Sequence, residues 1–198
     1  MKRLKHLLIG AVFALVWTAT AFAQTSVVQS VENVGNKVAT YYSASSFTLD
    51  TTPNVVWTIT GSSTRTVYIK SISITCTMTT AGQVNISVKK YSSAASGGTA
   101  VATTEVASDS GNSANTAAVA HYTADPTAGT AVGTLSIVSL SILAPATAVA
   151  NQPQVWRFGE KEDQYLVLRG TAQQVGLDFG GATTTGGVCQ VSAVWMEK

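Results

Sequence analysis

The sequence predicts an all-β chain folded as an antiparallel β-sandwich of jelly-roll type, with an immunoglobulin-like sandwich as the alternative. Three observations predict it. Apolar and polar residues alternate at period two in run after run from Phe47 to Met196; Gly, Pro, Asn and Asp interrupt those runs at short intervals; no capped, amphipathic helix of twelve residues follows Phe47. Strands that each hide one face need a second sheet to hide it against.

Before that body come two different segments. Lys2, Arg3, Lys5 and His6 precede an apolar run from Leu7 to Trp17 and the small-residue exit Ala21-Phe22-Ala23, the three parts of a cleavable secretory signal over 1–23. Residues 24–46 read as an N-terminal arm, extended or forming an edge strand. Val27, Val31, Val34 and Val38 offer the spacing of a short helical seam, but valine is a poor helix former and Gly35 interrupts the run. The single sandwich domain is placed at 47–198.

Within it, Val55, Trp57 and Ile59 share one parity. In the next run Val67 and Ile69 share a parity and Ile72, Ile74, Cys76 and Met78 take the other, so one extra residue, a β-bulge, belongs near Lys70. Ala81-Gly82 then turns the chain into Val84, Ile86 and Val88, which reads as a hairpin. From Ser92 to Gly133, Ser, Ala, Thr, Gly and Asn dominate; Val101–Val106 and Ala117–Tyr122 are expected to add short strands at an edge, with disorder as the alternative. Leu135–Leu143 resumes as a strand with a phase change between Ile137 and Val138. Val155–Phe158 and Tyr165–Arg169 flank the acidic tip Glu160–Asp163 as a hairpin, and the runs at Val175–Phe179 and Val188–Met196 complete the set.

Charge is scarce, at 11% of residues against a usual ~25%. With Lys2, Arg3 and Lys5 removed alongside the signal, nine basic groups face ten acidic ones, and no basic block remains to neutralise a phosphate backbone. Nucleic acid is therefore not an expected partner. After the signal no apolar run approaches the ~20 residues of a membrane-spanning helix. An exported product, periplasmic, extracellular or particle-associated, is the expectation. Cys76 and Cys189 each lie on the apolar side of an alternating run, so they either bridge, as oxidising compartments favour, or remain two buried thiols.

Chemistry is hard to find in the sequence. His121 is the only histidine after the signal, and no G-x-S-x-G elbow accompanies it. Two cysteines and one distant histidine match no zinc spacing. Asp178 with Glu160, Glu162 or Asp163 would be the carboxylates of a glycosidase, but acids crowded on a tip ordinarily just solvate it. Asp109-Ser110-Gly111-Asn112 falls short of a calcium loop and reads as a turn. No enzyme activity and no cofactor are expected. Among the aromatics, Trp57 and Trp195 take core parity, whereas Trp156, Tyr122, Tyr41 and Tyr42 are the candidates for an outer face, as an intersubunit contact or, alternatively, a glycan platform.

Three stretches carry a further signal: Ile69-Lys70-Ser71-Ile72 through Thr80-Ala81-Gly82-Gln83-Val84 to Ser96-Gly97-Gly98-Thr99; His121-Tyr122-Thr123-Ala124-Asp125-Pro126-Thr127-Ala128-Gly129-Thr130; and Trp156-Arg157-Phe158-Gly159 with Leu168-Arg169-Gly170-Thr171-Ala172. This pattern, over about residues 55–198, resembles a group of small all-β proteins encoded by tailed bacteriophages, virion-associated or decoration-like. The resemblance implies a structural protein that binds copies of itself or a virion or envelope surface, and it brings no catalytic residue. The export signal departs from that group's pattern and leaves room for a host-surface or periplasmic role. A carbohydrate-binding module of a secreted system is the alternative.

Overall fold

First and last strands pair with each other, and each pair further in nests inside the one before it. A computed structural model describes residues 38–49, 51–52, 54–77, 80–142, 153–160, 164–182 and 187–198. The signal, residues 24–37 of the arm with its valine seam, and most of the acidic tip lie outside the described residues. The described residues form twelve strands in order: β1 (Ala39–Thr48), β2 (Asn54–Thr60), β3 (Val67–Thr77), β4 (Gly82–Tyr91), β5 (Thr99–Ala102), β6 (Glu105–Ala107), β7 (Ala118–Ala124), β8 (Ala131–Ile142), β9 (Gln154–Arg157), β10 (Leu166–Leu168), β11 (Gln174–Ala182) and β12 (Val188–Glu197).

Two antiparallel sheets result. The first runs β10-β3-β12-β1-β6, with β9 also on β3; the second runs β5-β7-β2-β11-β4-β8. Pairing β1 with β12, β2 with β11, β3 with β9 and β10, and β4 with β8 folds the chain back on itself and rolls the long antiparallel ribbon into a sandwich. This is jelly-roll connectivity, and β5, β6 and β7 are an insertion that widens both sheets on one side.

Period-two alternation sets the core. Ile72, Ile74 and Cys76 of β3, Val84, Ile86 and Val88 of β4, and Val191, Ala193 and Trp195 of β12 are all buried between the sheets. Each large aliphatic side chain hidden this way contributes on the order of 1.5–3 kcal/mol. The bulge expected near Lys70 is present: Val194 pairs with Ser71 and Trp195 with Ile69, which leaves Lys70 unopposed on β12. Cys76 and Cys189 face each other on β3 and β12 and form a disulfide, with Cα atoms 4.0 Å apart.

Several sequence expectations are corrected. β3 and β4 do not form a hairpin; they lie in different sheets, and the turn at Ala81-Gly82 carries the chain across the sandwich. A turn signal reports a reversal of direction, and two strands with one apolar face each satisfy it equally well by facing one another. β9 and β10 are not a hairpin either. Both run antiparallel to β3, β9 on Ser71–Ile74 and β10 on Val67–Ile69, and the Phe158 N–H bonds Lys70 O at 2.8 Å between them. They are one edge interrupted by an excursion opposite the Lys70 bulge.

The arm boundary at residue 46 moves as well, because Ala39–Thr48 is an inner strand with β12 on one side and β6 on the other. In β2 the register slips between Val55 and Trp57, so Val56 joins Trp57 and Ile59 in the core cluster, and Val55 is buried outside that cluster. No phase change occurs between Ile137 and Val138, which pair in sequence with Ser87 and Ile86; the slips in β8 fall at Leu135 and Val132.

The segment read as either strands or disorder is held by hydrogen bonds. Ser96 and Thr127 exchange a pair of backbone bonds, Thr130 N–H bonds Ser93 Oγ, and Ala95 N–H bonds the buried Gln174 side chain at 3.0 Å. Gly129 is needed there, since a Cβ would stand 1.8 Å from Ser93 O. Gly129→Ala is expected to open this clasp and lower stability by about 1–3 kcal/mol, as overpacking does, and a thermal melt indistinguishable from the parent would refute the contact.

Candidate functional site

The four aromatic candidates do not assemble into one platform. Trp156 is only 8% exposed: it pairs with Ile72 on β3, packs into the core, and donates its Nε1–H to Ser136 Oγ at 3.0 Å. The expectation of an outer Trp156 is therefore wrong. Of the neighbours Val155 and Trp156, which have opposite parity, it is the indole that turns inward, between β9 and β8, and finds a hydroxyl for its N–H, whereas Val155 stays exposed. Tyr41 is also misplaced by the sequence reading, at 1% exposed. Its ring stacks on Trp195 with centroids 5.9 Å apart, and its hydroxyl donates to Ser113 O at 2.8 Å.

Tyr42 and Tyr122 do reach outer positions, on different sheets. Tyr122, half-buried on β7, lines a small pocket of about 180 Å³ with Thr48, Asn54, Val56, Thr123 and Asp125. Asn54 Nδ2 donates to the Asp125 carboxylate, an acceptor that fixes the amide orientation. The other amide atom, Oδ1, is then buried without a hydrogen-bond partner.

Tyr42, 47% exposed, sits on the outer face of the first sheet. Strand register lays that face out in rows: Val106–Tyr42–Val194, Ala44–Ser192, Ser46–Gln190 and Thr48–Val188. None of these residues is charged. The rows line two shallow hollows, one of about 390 Å³ along Ala44, Ser46, Gln190 and Ser192 and one of about 280 Å³ beside Tyr42, Val106 and Val194. Among the described residues charge returns beyond β12, at Lys70 and at Arg157, which pairs with Glu160 at 3.3 Å. The second sheet differs: Lys89 and Asp178 form an ion pair at 2.9 Å there. Burial first, and the adjacent Asp178 charge second, push the Tyr91 phenol above its ordinary range.

The buried Glu197 carboxylate is engaged in holding the fold. Glu197 Oε1 and Oε2 accept from Thr116 N–H, Thr116 Oγ1, Ala117 N–H and Trp195 Nε1, all within 3.0 Å. Burial alone would raise its pKa; the bonds from Ala117, Trp195 and Thr116 outweigh it and hold the carboxyl below its ordinary value. A carboxylate so fully occupied has no lone pair left for proton transfer. Arg65 stands 3.5 Å from Glu197 and bonds Ser113 Oγ more closely, at 2.7 Å. His121 stacks on Phe47, and burial lowers its pKa. Among the described residues no group of three or more His, Cys, Asp and Glu is placed to hold a metal ion.

What the sequence reading missed is the first-sheet face itself, built from Ser, Thr, Ala and Gln that carry no signature one at a time. The signal was present in β1, which carries no charge, and in β12, where nine residues pass without one before Glu197. Comparison with family models, with curated proteins and with solved structures returned no match to this chain.

Proposed function

We propose that this protein is an exported, non-enzymatic structural or surface protein, phage-related, that acts by attachment to copies of itself or to a virion or envelope surface. The observation that carries the reading is the uncharged outer face of the first sheet, where Tyr42, Val106, Val188 and Val194 stand exposed or half-exposed among small hydroxyl residues. Interface cores are depleted of charge and enriched in aromatic residues, and this face has that composition. The disulfide between Cys76 and Cys189 fits an oxidising compartment, and the signal-like N-terminus supplies the route to it. The phage-like sequence pattern supports a particle or envelope as the target.

Fractionating the producing cells and any particles they release tests this. The chain is expected to co-sediment with particles or envelope, and Tyr42→Lys with Val194→Lys is expected to release it. A chain found only free and monomeric would overturn the proposal.

Carbohydrate binding is kept as a second reading because of the Tyr122 pocket, where the exposed Asp125 carboxylate offers an acceptor to sugar hydroxyls beside an aromatic ring. A glycan array without hits would retire it.

A further inference from the structure

We infer that β8 is the seam of a symmetric homodimer, in which Ser136–Ile142 of one copy pairs antiparallel with the same segment of a second copy. The inference rests on the attachment reading above and names the strand by which copies join.

Edge strands carry a row of backbone N–H and C=O groups with no ladder partner, and proteins blunt such edges by shortness, charge, proline or bulges. The other edges here are blunted by shortness: β5 has four residues, β6 three, and β9 and β10 four and three. β8 has twelve, and among the described residues it pairs with β4 alone. Between Ala131 and Ile142 it contains no charge and no proline. Slips at Leu135 and Val132 disturb its first half, whereas Ser136–Ile142 matches Val88–Gly82 residue for residue, so a regular edge is left open.

Side-chain exposure on the same strand agrees with this. Ile137 is 68% exposed on the outward side, and Val138 and Leu140 on the core side are only partly buried. Apolar surface thus remains on both faces of a strand whose edge is also unpaired among the described residues.

The occupant that fits is a second copy. Pairing about a twofold axis sets the segment against its own reverse, so core-facing residues meet core-facing residues. With the axis at Ser139, Val138 meets the other copy's Leu140, and Ile137 meets the other copy's Ser141. Symmetry also brings any charge near its own duplicate, so an uncharged strand suits self-pairing, and β8 offers no charge by which a different partner would be selected. Seven residues at ~3.4 Å each span about 24 Å, a small contact beside the ~1,600 Å² of a standard interface, so the dimer is weak and gains strength where many copies share one surface.

Sedimentation of the full exported chain from about 1 to about 300 μM tests the seam. The parent is expected to dimerise, Ile137→Lys and Ser139→Lys each to raise the dissociation constant at least ~10-fold, and Val106→Lys on the first-sheet face to leave it unchanged. Should a lysine variant fail to fold, hydrogen exchange on the parent decides instead: alternate amides of Ser136–Ile142 are expected to gain protection as concentration rises. A parent monomeric throughout, a dimer lost in Val106→Lys and kept in Ile137→Lys, or protection independent of concentration would each overturn the seam. A monomer that still co-sediments with particles or envelope would remove the seam and leave the attachment reading standing.

Discussion

Replacing Cys76 and Cys189 together by alanine is expected to lower unfolding stability by about 5 kcal/mol. The size follows from loop length. The bridge joins residues 113 apart, and closing a loop of that size removes on the order of 16 cal/mol/K of entropy from the unfolded chain. At 2–4 °C per kcal/mol for a domain of about 160 residues, the melting temperature should fall by roughly 10–20 °C. The two sulfurs lie in the core between β3 and β12, so a reductant should act only after local opening or under denaturant. Denaturant titrations with and without reductant check it, and coincident midpoints would show that the bridge carries no stability. The bridge spans strands that are already neighbours, so the folded register survives its loss and the effect lies in the unfolded state.

The same pair shows how the sequence could be read. Cys76 and Cys189 were each assigned to an apolar parity, and that parity was enough to put them in one core, because side-chain direction in a strand depends only on counting by two. The alternations at Val84, Ile86 and Val88 and at Val191 and Trp195 are legible for the same reason. Sheet membership is not. Whether Ala81-Gly82 reverses the chain within one sheet or carries it to the other depends on which strand arrives later beside each, and those partners, β12 for β3 and β11 for β4, lie about a hundred residues downstream.

Trp156 and Tyr41 depart from the sequence reading for a related cause, whereas Trp57 and Trp195 are buried as their parity predicts. Trp156 and Val155 have opposite parity, and nothing local reveals which of them turns inward or that Ser136 waits across the sandwich for an indole N–H. Tyr41 fell outside because it was assigned to an arm, although its strand is sealed on both sides by β12 and β6. Ile137 misled in the opposite direction. Read as buried, it demanded a phase change; left exposed, it fits the register with β4 and becomes the chief apolar feature of an open edge. Composition foretold an absence of charge. Only the register shows that this absence extends over a continuous face.

Glu197→Ala is expected to cost about 3–5 kcal/mol, the second large effect, because it strips a common acceptor from several buried donors at once. Thr116 and Ala117 each direct a backbone N–H at this carboxylate, Thr116 adds its hydroxyl and Trp195 its indole N–H, so one side chain ties the loop before β7 to the last strand. Glu197→Gln keeps the shape and half of the accepting capacity, and should fall between the parent and the alanine variant. The pH dependence has a definite sign. Since the folded carboxyl titrates below its ordinary value of 4.5, its contribution is complete above that value and is lost as pH falls through the folded pKa. Unfolding midpoints of the parent should therefore drop with acid below about pH 4.5, and the Gln variant should show a shallower acid limb. Parallel acid limbs in the two proteins would mean that the carboxylate is not ionised in the fold, and the account of the loop's attachment would fall with it.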